Sequence, residues 1–194
     1  IVLNFTPCYP ESDCLADVKA TAFADDYFNQ WYIKPLFEGK YPEIITQLPT
    51  EHQPEIYEGD MTIISHSMDF LGVNFYTRAI YRADDDEHFF QIDPPSPRTD
   101  IGWEIYPKAF SELLVSLNEK YTLPPIYITE NGAAIADKIV DGVVNDHDRI
   151  DYYQQHLNAV HDATEQGVQV NGYFAWSLMD NFEWAEGYLK RFGI

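Results

Sequence analysis

At 194 residues, 45% hydrophobic and 15% aromatic, the chain has the make-up of a folded globular protein, which excludes a disordered one, and its length fits a single domain over residues 1–194. Its 32 Asp and Glu outweigh 12 Lys and Arg to leave a net charge of −20, which argues against nucleic acid and anionic membrane as partners and for a solvated acidic surface. No run of about 18 or more apolar residues is present, so no membrane span is expected. No basic segment followed by an apolar stretch and a small-residue cleavage site opens the chain, so no signal peptide is expected and a cytoplasmic location is. Cys8 and Cys14 are too few and too widely spaced for a typical metal site and are expected to be free thiols. The sequence opens in a strand-like run without Met, which is read as a missing N-terminal part.

The first strand is expected at Ile1-Val2-Leu3-Asn4-Phe5, closed by Pro7 and Pro10. A helical stretch over residues 17–36 follows, with Phe23, Tyr27, Trp31 and Ile33; Pro35, Gly39 and Pro42 mark its exit. The second strand is expected at Phe70-Leu71-Gly72-Val73-Asn74-Phe75-Tyr76. The acidic, proline-rich stretch 83–100 reads as a long surface loop. Phe110, Leu113, Leu114 and Leu117 recur on one face of a helix that Pro124-Pro125 stops. The third strand is expected at Ile126-Tyr127-Ile128-Thr129. After a second polar loop, Ile150, Tyr153, Leu157 and Val160 line another helical face. Gly172-Tyr173-Phe174-Ala175-Trp176 is the fourth strand.

The order β-loop-α thus occurs four times, with the last helix absent. Alternating β and α with nearly all-apolar strands argues for a parallel sheet. A complete eight-stranded α/β barrel takes about 250 residues, so four units fit half of one. An open doubly wound sheet needs a glycine-rich turn after its first strand. Residues 4–12 contain no glycine, which disfavours nucleotide binding.

Barrel enzymes place their chemistry where strands end. The third strand ends in Glu130-Asn131-Gly132. The fourth runs through Trp176 into Asp180-Asn181-Phe182-Glu183-Trp184, a cluster offering acceptors for hydroxyls and flat faces for sugar stacking. Asn74 and Tyr76 are two apart and share one side of the second strand. Singly, each has a structural reading: a tight turn, a core tryptophan, a buried phenol. Carboxylates, amides and aromatics converging on one face are what a sugar site requires.

Ile128-Thr129-Glu130-Asn131-Gly132 resembles the nucleophile signature of glycoside hydrolase family 1, the β-glucosidase family. Phe70 to Tyr76 resembles that family's sixth strand, and Gly172 to Phe174 with Trp176 to Trp184 its eighth strand and loop. Leu3-Asn4 with Thr6-Pro7 and Tyr9-Pro10 resembles the fifth strand and its exit. Trp31, Pro35-Leu36-Phe37 and Asp100-Ile101-Gly102-Trp103-Glu104 with Tyr106-Pro107 extend the likeness over nearly the whole chain. The resemblance implies an α/β fold, namely the C-terminal half (strands 5–8) of a (β/α)8 TIM barrel, without the first four units and the last helix.

It further implies a retaining β-glycosidase acting on terminal non-reducing β-D-glucosyl residues or short β-linked oligosaccharides, with no cofactor and no metal. Glu130 resembles the nucleophile and Tyr76 the phenol that hydrogen-bonds it, with Asn74 supporting the pair. Glu183 and Trp184 resemble glycone-hydroxyl ligands, Trp176 the stacking floor, and Trp103 a lining of the leaving-group side. The family's acid/base carboxyl lies in an Asn-Glu-Pro motif that this sequence lacks, so the expected partner is an N-terminal half-barrel chain carrying it, or else self-association. Glu183 with Lys190 and Phe192 favours an unphosphorylated glycone, because a carboxylate repels phosphate. A thioglucosidase, or a non-catalytic sugar-binding or structural half-barrel, remains as an alternative reading.

Overall fold

The structure, a computed structural model, describes residues 1–84, 89–93 and 95–194. Residues 85–88 and 94, part of the surface loop expected over 83–100, lie outside the described residues. In chain order the elements are β1 (Val2–Phe5), β2 (Cys8–Pro10), α1 (Leu15–Asp25), α2 (Trp31–Glu38), α3 (Asp60–Ile64), β3 (Leu71–Phe75), β4 (Ala79–Arg82), β5 (Phe90–Ile92), α4 (Lys108–Lys120), β6 (Ile126–Asn131), β7 (Ile139–Val140), β8 (Val143–Val144), α5 (His147–Glu165) and β9 (Val170–Ala175). They group into two compact units. One comprises Ile1, residues 3–69 and residues 78–94; the other comprises Val2, residues 70–77 and residues 95–194.

In the first unit, α1 runs through a π-helical turn at Asp26–Gln30 into α2, which matches the helical expectation over 17–36. Pro35 is accommodated inside α2, and Gly39 ends it in the left-handed conformation at φ 63°. The π turn carries Asn29, whose side chain exchanges two hydrogen bonds with the backbone of Thr6 at 2.9 and 3.1 Å. β2 pairs in parallel with β4, and β4 in antiparallel with β5. The expected loop over 83–100 therefore contains a strand, because Phe90–Ile92 continues the β4 ladder. Likewise, within the Pro7–Pro10 stretch expected only to close a strand, Cys8–Pro10 is itself strand β2. Cys8 packs against the buried Ala24, Ala79 and Tyr81. Burial, with the Asp25 charge behind it, pushes its thiol well above the ordinary range, so it stays protonated and inert. Both cysteines are free.

In the second unit, β3, β6 and β9 form parallel neighbours in that order. Alternate residues Leu71, Val73 and Phe75 of β3 are fully buried. The Phe75 ring stacks on Phe110 of α4 at 4.4 Å and lies 6.0 Å from His156 of α5, which joins both helices to one face of the sheet. Each such buried side chain contributes roughly 1.5–3 kcal/mol. His156 is fully buried and stacks on Tyr152 at 3.8 Å. Burial pulls its imidazole down to about 4 despite the Tyr152 carbonyl 2.8 Å from Nδ1, so it is neutral at pH 7.

Three expectations need correction here. The third strand extends to Asn131, two residues further, because Glu130 and Asn131 remain in the ladder. The polar loop after it holds a hairpin, β7 and β8, closed by Asp141 and Gly142 at φ 53° and 79°. Third, α5 does not bury the face of Ile150 and Leu157. These are 58% and 46% exposed, and the helix buries Arg149, Tyr152, His156, Ala159, Val160 and Ala163 instead. Arg149 is tied to Asp137 at 3.1 Å, to Asp146, and to the Arg191 carbonyl at 3.2 Å, so a charge occupies that buried face without being orphaned. The exposed Ile150 and Leu157, with Tyr153, Tyr173, Ala175 and Ile194, line a cavity of about 540 Å3. Beside it runs β9, the last strand of its sheet among the described residues. Among the described residues no helix is long and apolar enough to cross a membrane.

Candidate active site

All seven residues singled out from the sequence fall in the second unit. Glu130 sits where β6 departs from regular pairing. Val73 of β3 faces Ile128, but Asn74 faces Glu130; on the other side Tyr173 faces Ile128 and Ala175 faces Asn131. β6 thus carries one residue more than either neighbour over this span, a β-bulge. Side chains alternate along a strand, so without the extra residue Glu130 would share the fully buried side of Ile128. With it, Thr129 and Glu130 are both half-buried, and Asn131 takes the buried position.

Tyr76, one residue past β3, donates from Oη to Glu130 Oε2 at 2.7 Å. Burial first, then this hydrogen bond and the Glu130 charge, push the phenol far above its ordinary range. The proton therefore stays on Tyr76, which acts as a fixed donor to the Glu130 carboxylate. The Glu183 charge adds a smaller push to the same phenol, so both carboxylates act on one group. The Tyr76 ring is held by Trp103 at 5.1 Å and by the buried Phe192 at 6.2 Å. Asn74, two residues before Tyr76 on the same strand face, accepts from Thr129 Oγ1 at 2.6 Å.

Trp176 follows β9 directly. Its backbone N–H donates to the Asn131 carbonyl at 2.8 Å, and its carbonyl accepts from Tyr153 Oη at 3.1 Å. A Cβ on Gly132 would come 1.8 Å from the Trp176 carbonyl oxygen, so only glycine permits this approach of the two strand ends. Beyond Trp176, Asn181 Nδ2 donates to Glu183 Oε2 at 2.8 Å, and the Glu183 N–H donates to the Gly187 carbonyl at 2.7 Å. Trp184 is 84% exposed with its backbone in the left-handed region at φ 44°, uncommon for a bulky residue. Lys190 is engaged with Asp100, donating to its carbonyl at 2.6 Å and its carboxylate at 3.2 Å.

The sequence reading missed the groups behind Glu130. Asn131 is fully buried and donates to the Phe75 carbonyl at 2.7 Å and to Tyr152 Oη at 3.0 Å; its Oδ1 accepts from Tyr173 Oη at 2.5 Å. Burial pushes the phenols of Tyr152 and Tyr173 upward, so both remain protonated. Tyr152 and His156, four apart and flanked by polar residues, carried the signal of a second helical face.

Parallel strands backed by helices carry a carboxylate, its phenol donor, an acidic loop and tryptophans toward the strand ends, where α/β-barrel enzymes place their chemistry. The family model described as glycosyl hydrolase family 1 matches residues 1–194. The β-glucosidase of Agrobacterium sp. is 43% identical over 202 residues, covering all of this chain and 44% of that protein. β-Glucosidase A of Thermotoga maritima is 40% identical, again over all of this chain and 44% of its own length. The crystal structure of a β-glucosidase from Exiguobacterium marinum superposes with a TM-score of 0.95 at 43% identity, covering 100% of this chain and 45% of that one. The Thermotoga maritima family 1 glycoside hydrolase, complexed with a cyclophellitol-analogue transition-state mimic, superposes at 0.94 with 41% identity and covers 100% and 44%. The chain belongs to glycosyl hydrolase family 1, and it spans under half the length of these relatives.

Proposed function

We propose that this chain supplies the nucleophile and glycone-binding residues of a retaining β-glucosidase, as the C-terminal half of one barrel domain. The observation that carries the reading is the 2.7 Å hydrogen bond from Tyr76 to Glu130 at the bulged end of β6. A carboxylate nucleophile must be fixed in orientation, and a buried phenol that keeps its own proton and donates a hydrogen bond does this. The Glu130 oxygen attacks the anomeric carbon as the bond to the aglycone oxygen breaks, giving a glycosyl ester. A second carboxyl group, about 5–5.5 Å away in retaining enzymes, protonates the departing oxygen and then deprotonates the water that cleaves the ester. Glu183, turned by Asn181, and Trp184 bind glycone hydroxyls; Trp176 stacks beneath the ring, Trp103 borders the aglycone, and Asn74 supports the pair. The substrate is a terminal β-D-glucosyl residue, consistent with the β-glucosidase names of the relatives.

The second carboxyl group comes from an N-terminal half-barrel. Support lies in the length of the relatives and in the open edge of β9, where Phe174 is 58% exposed on one face and Tyr173 and Ala175 line the apolar cavity with Ile150 and Leu157 on the other. Self-association across such edges is the competing arrangement, and it repeats the same carboxylates instead of adding a new one.

Azide rescue tests the assignment. Glu130→Gly in the active assembly is expected to lose turnover, because removing a covalent nucleophile costs far more than one binding contact at about 1–3 kcal/mol. Azide is then expected to restore turnover and yield an α-glucosyl azide. Activity retained by Glu130→Gln above a few per cent, or a β-azide product, overturns it.

A further inference from the structure

The residues on either side of Glu130 are anchored by side-chain hydrogen bonds of their own. Thr129 Oγ1 is fixed to Asn74 of β3 at 2.6 Å. Asn131 is bound on three sides: the end of β3 through the Phe75 carbonyl, α5 through Tyr152, and β9 through Tyr173. The orientation of the Asn131 amide follows from its partners, since the Phe75 carbonyl only accepts and must face the nitrogen. Both N–H groups and the oxygen are then used, as full burial requires. These bonds bracket the extra residue of the β6 bulge. They flank the irregularity that sets Glu130 on the half-exposed side, where Tyr76 meets it.

We propose that Asn131 with Tyr173, and Thr129 with Asn74, are positioning residues that lock the bulge and so aim the Glu130 carboxylate. This rests on the reading of Glu130 as nucleophile. The locks act through the backbone of β6, and none of the four needs to touch the reacting atoms to have this effect. A bulge that loses a lock can relax toward regular pairing. That rotation carries the carboxylate away from Tyr76, and a misplacement of about 1 Å is enough to cost roughly 100-fold in rate.

The test uses 2,4-dinitrophenyl 2-deoxy-2-fluoro-β-D-glucopyranoside on the protein as isolated, with any chain that accompanies it. A Glu130 oxygen forms a bond to the anomeric carbon, and the bond to the phenolic oxygen breaks with its electron pair. Dinitrophenolate leaves without needing a proton, so the step reads the nucleophile and not the acid. The fluorine slows hydrolysis of the ester, which accumulates and is followed by mass. Tyr173→Phe and Thr129→Val are expected to lower the maximal labelling rate about 10- to 100-fold with an unchanged half-saturating concentration. Tyr81→Phe, deleting a buried phenol hydroxyl in the other unit, is expected to leave both unchanged. Thr129 is half-buried, so its variant decides the matter if Tyr173→Phe fails to fold. Wild-type maximal rates in the folded variants, or a loss confined to half-saturation, overturn the positioning role. A wild-type assembly that hydrolyses an aryl β-glucoside yet never labels overturns the nucleophile reading and this inference with it, and the two failures are thereby distinguished.

Discussion

Tyr76→Phe separates the two steps of the proposed reaction. The substitution deletes one hydrogen bond of 2.7 Å to a carboxylate and little else, because the ring stays packed between Trp103 and Phe192. A hydrogen bond to a charged group contributes about 1.5–3 kcal/mol, equivalent to about 10- to 150-fold in rate. Its effect differs between the steps. When Glu130 attacks, its charge is being lost, so the bond weakens toward the transition state; deleting it costs orientation but frees some nucleophilicity. When the glycosyl ester breaks, the charge returns to Glu130, the bond strengthens, and its deletion is felt in full. The expected result is a kcat lowered about 10- to 150-fold, a KM lowered with it, and a smaller loss in kcat/KM. Glycosyl-enzyme should accumulate and appear as a burst of aryl alcohol. Steady-state and rapid-mixing kinetics on an aryl β-glucoside measure all of these in the active assembly. A raised KM with the larger loss in kcat/KM, or no change in kcat, refutes the reasoning.

Gly132→Ala forces a Cβ to within 1.8 Å of the Trp176 carbonyl and is expected to cost about 3 kcal/mol in urea unfolding; a loss under about 1 kcal/mol contradicts the close approach. His156 has its imidazole lowered from 6.5 to about 4, so between these values the unfolded chain binds more protons and stability falls as pH drops. That component is about 3 kcal/mol, fully present above pH 6.5 and gone below about 4, and His156→Phe should lack it; parallel stability-pH curves for the two proteins refute the assignment. Glu183→Ser is expected to narrow or invert a preference for glucosides over 6-phosphoglucosides, and a wild-type preference for the phosphorylated substrate sinks the role given to Glu183.

Short, nearly continuous apolar runs bounded by proline, glycine and polar residues made β1, β3, β6 and β9 legible. The location of Glu130 at a strand end was legible too, though the bulge was not. Ile128-Thr129-Glu130-Asn131 reads as the end of a strand unless the hydrogen-bonding partners of Thr129 and Asn131 are known, and those partners lie 21 to 56 residues away. The face of α5 was misread because Tyr152 and His156 bury themselves through stacking and hydrogen bonds, while the more apolar Ile150 and Leu157 face a cavity. Asp141-Gly142 between Ile-Val and Val-Val was a readable hairpin signal, since both turn residues need positive φ. β5 was hidden inside an acidic, proline-rich stretch, and only its pairing with β4 makes Phe90–Ile92 a strand.

The most direct measurement is the position of the covalent label. After reaction with the dinitrophenyl 2-deoxy-2-fluoroglucoside, proteolysis and peptide mass mapping should place one fluoroglucosyl group on Glu130, within the peptide spanning Ile128 to Gly132, and Glu130→Gln should remain unlabelled. A label on any other carboxylate, or equal labelling of Glu130→Gln, contradicts the account.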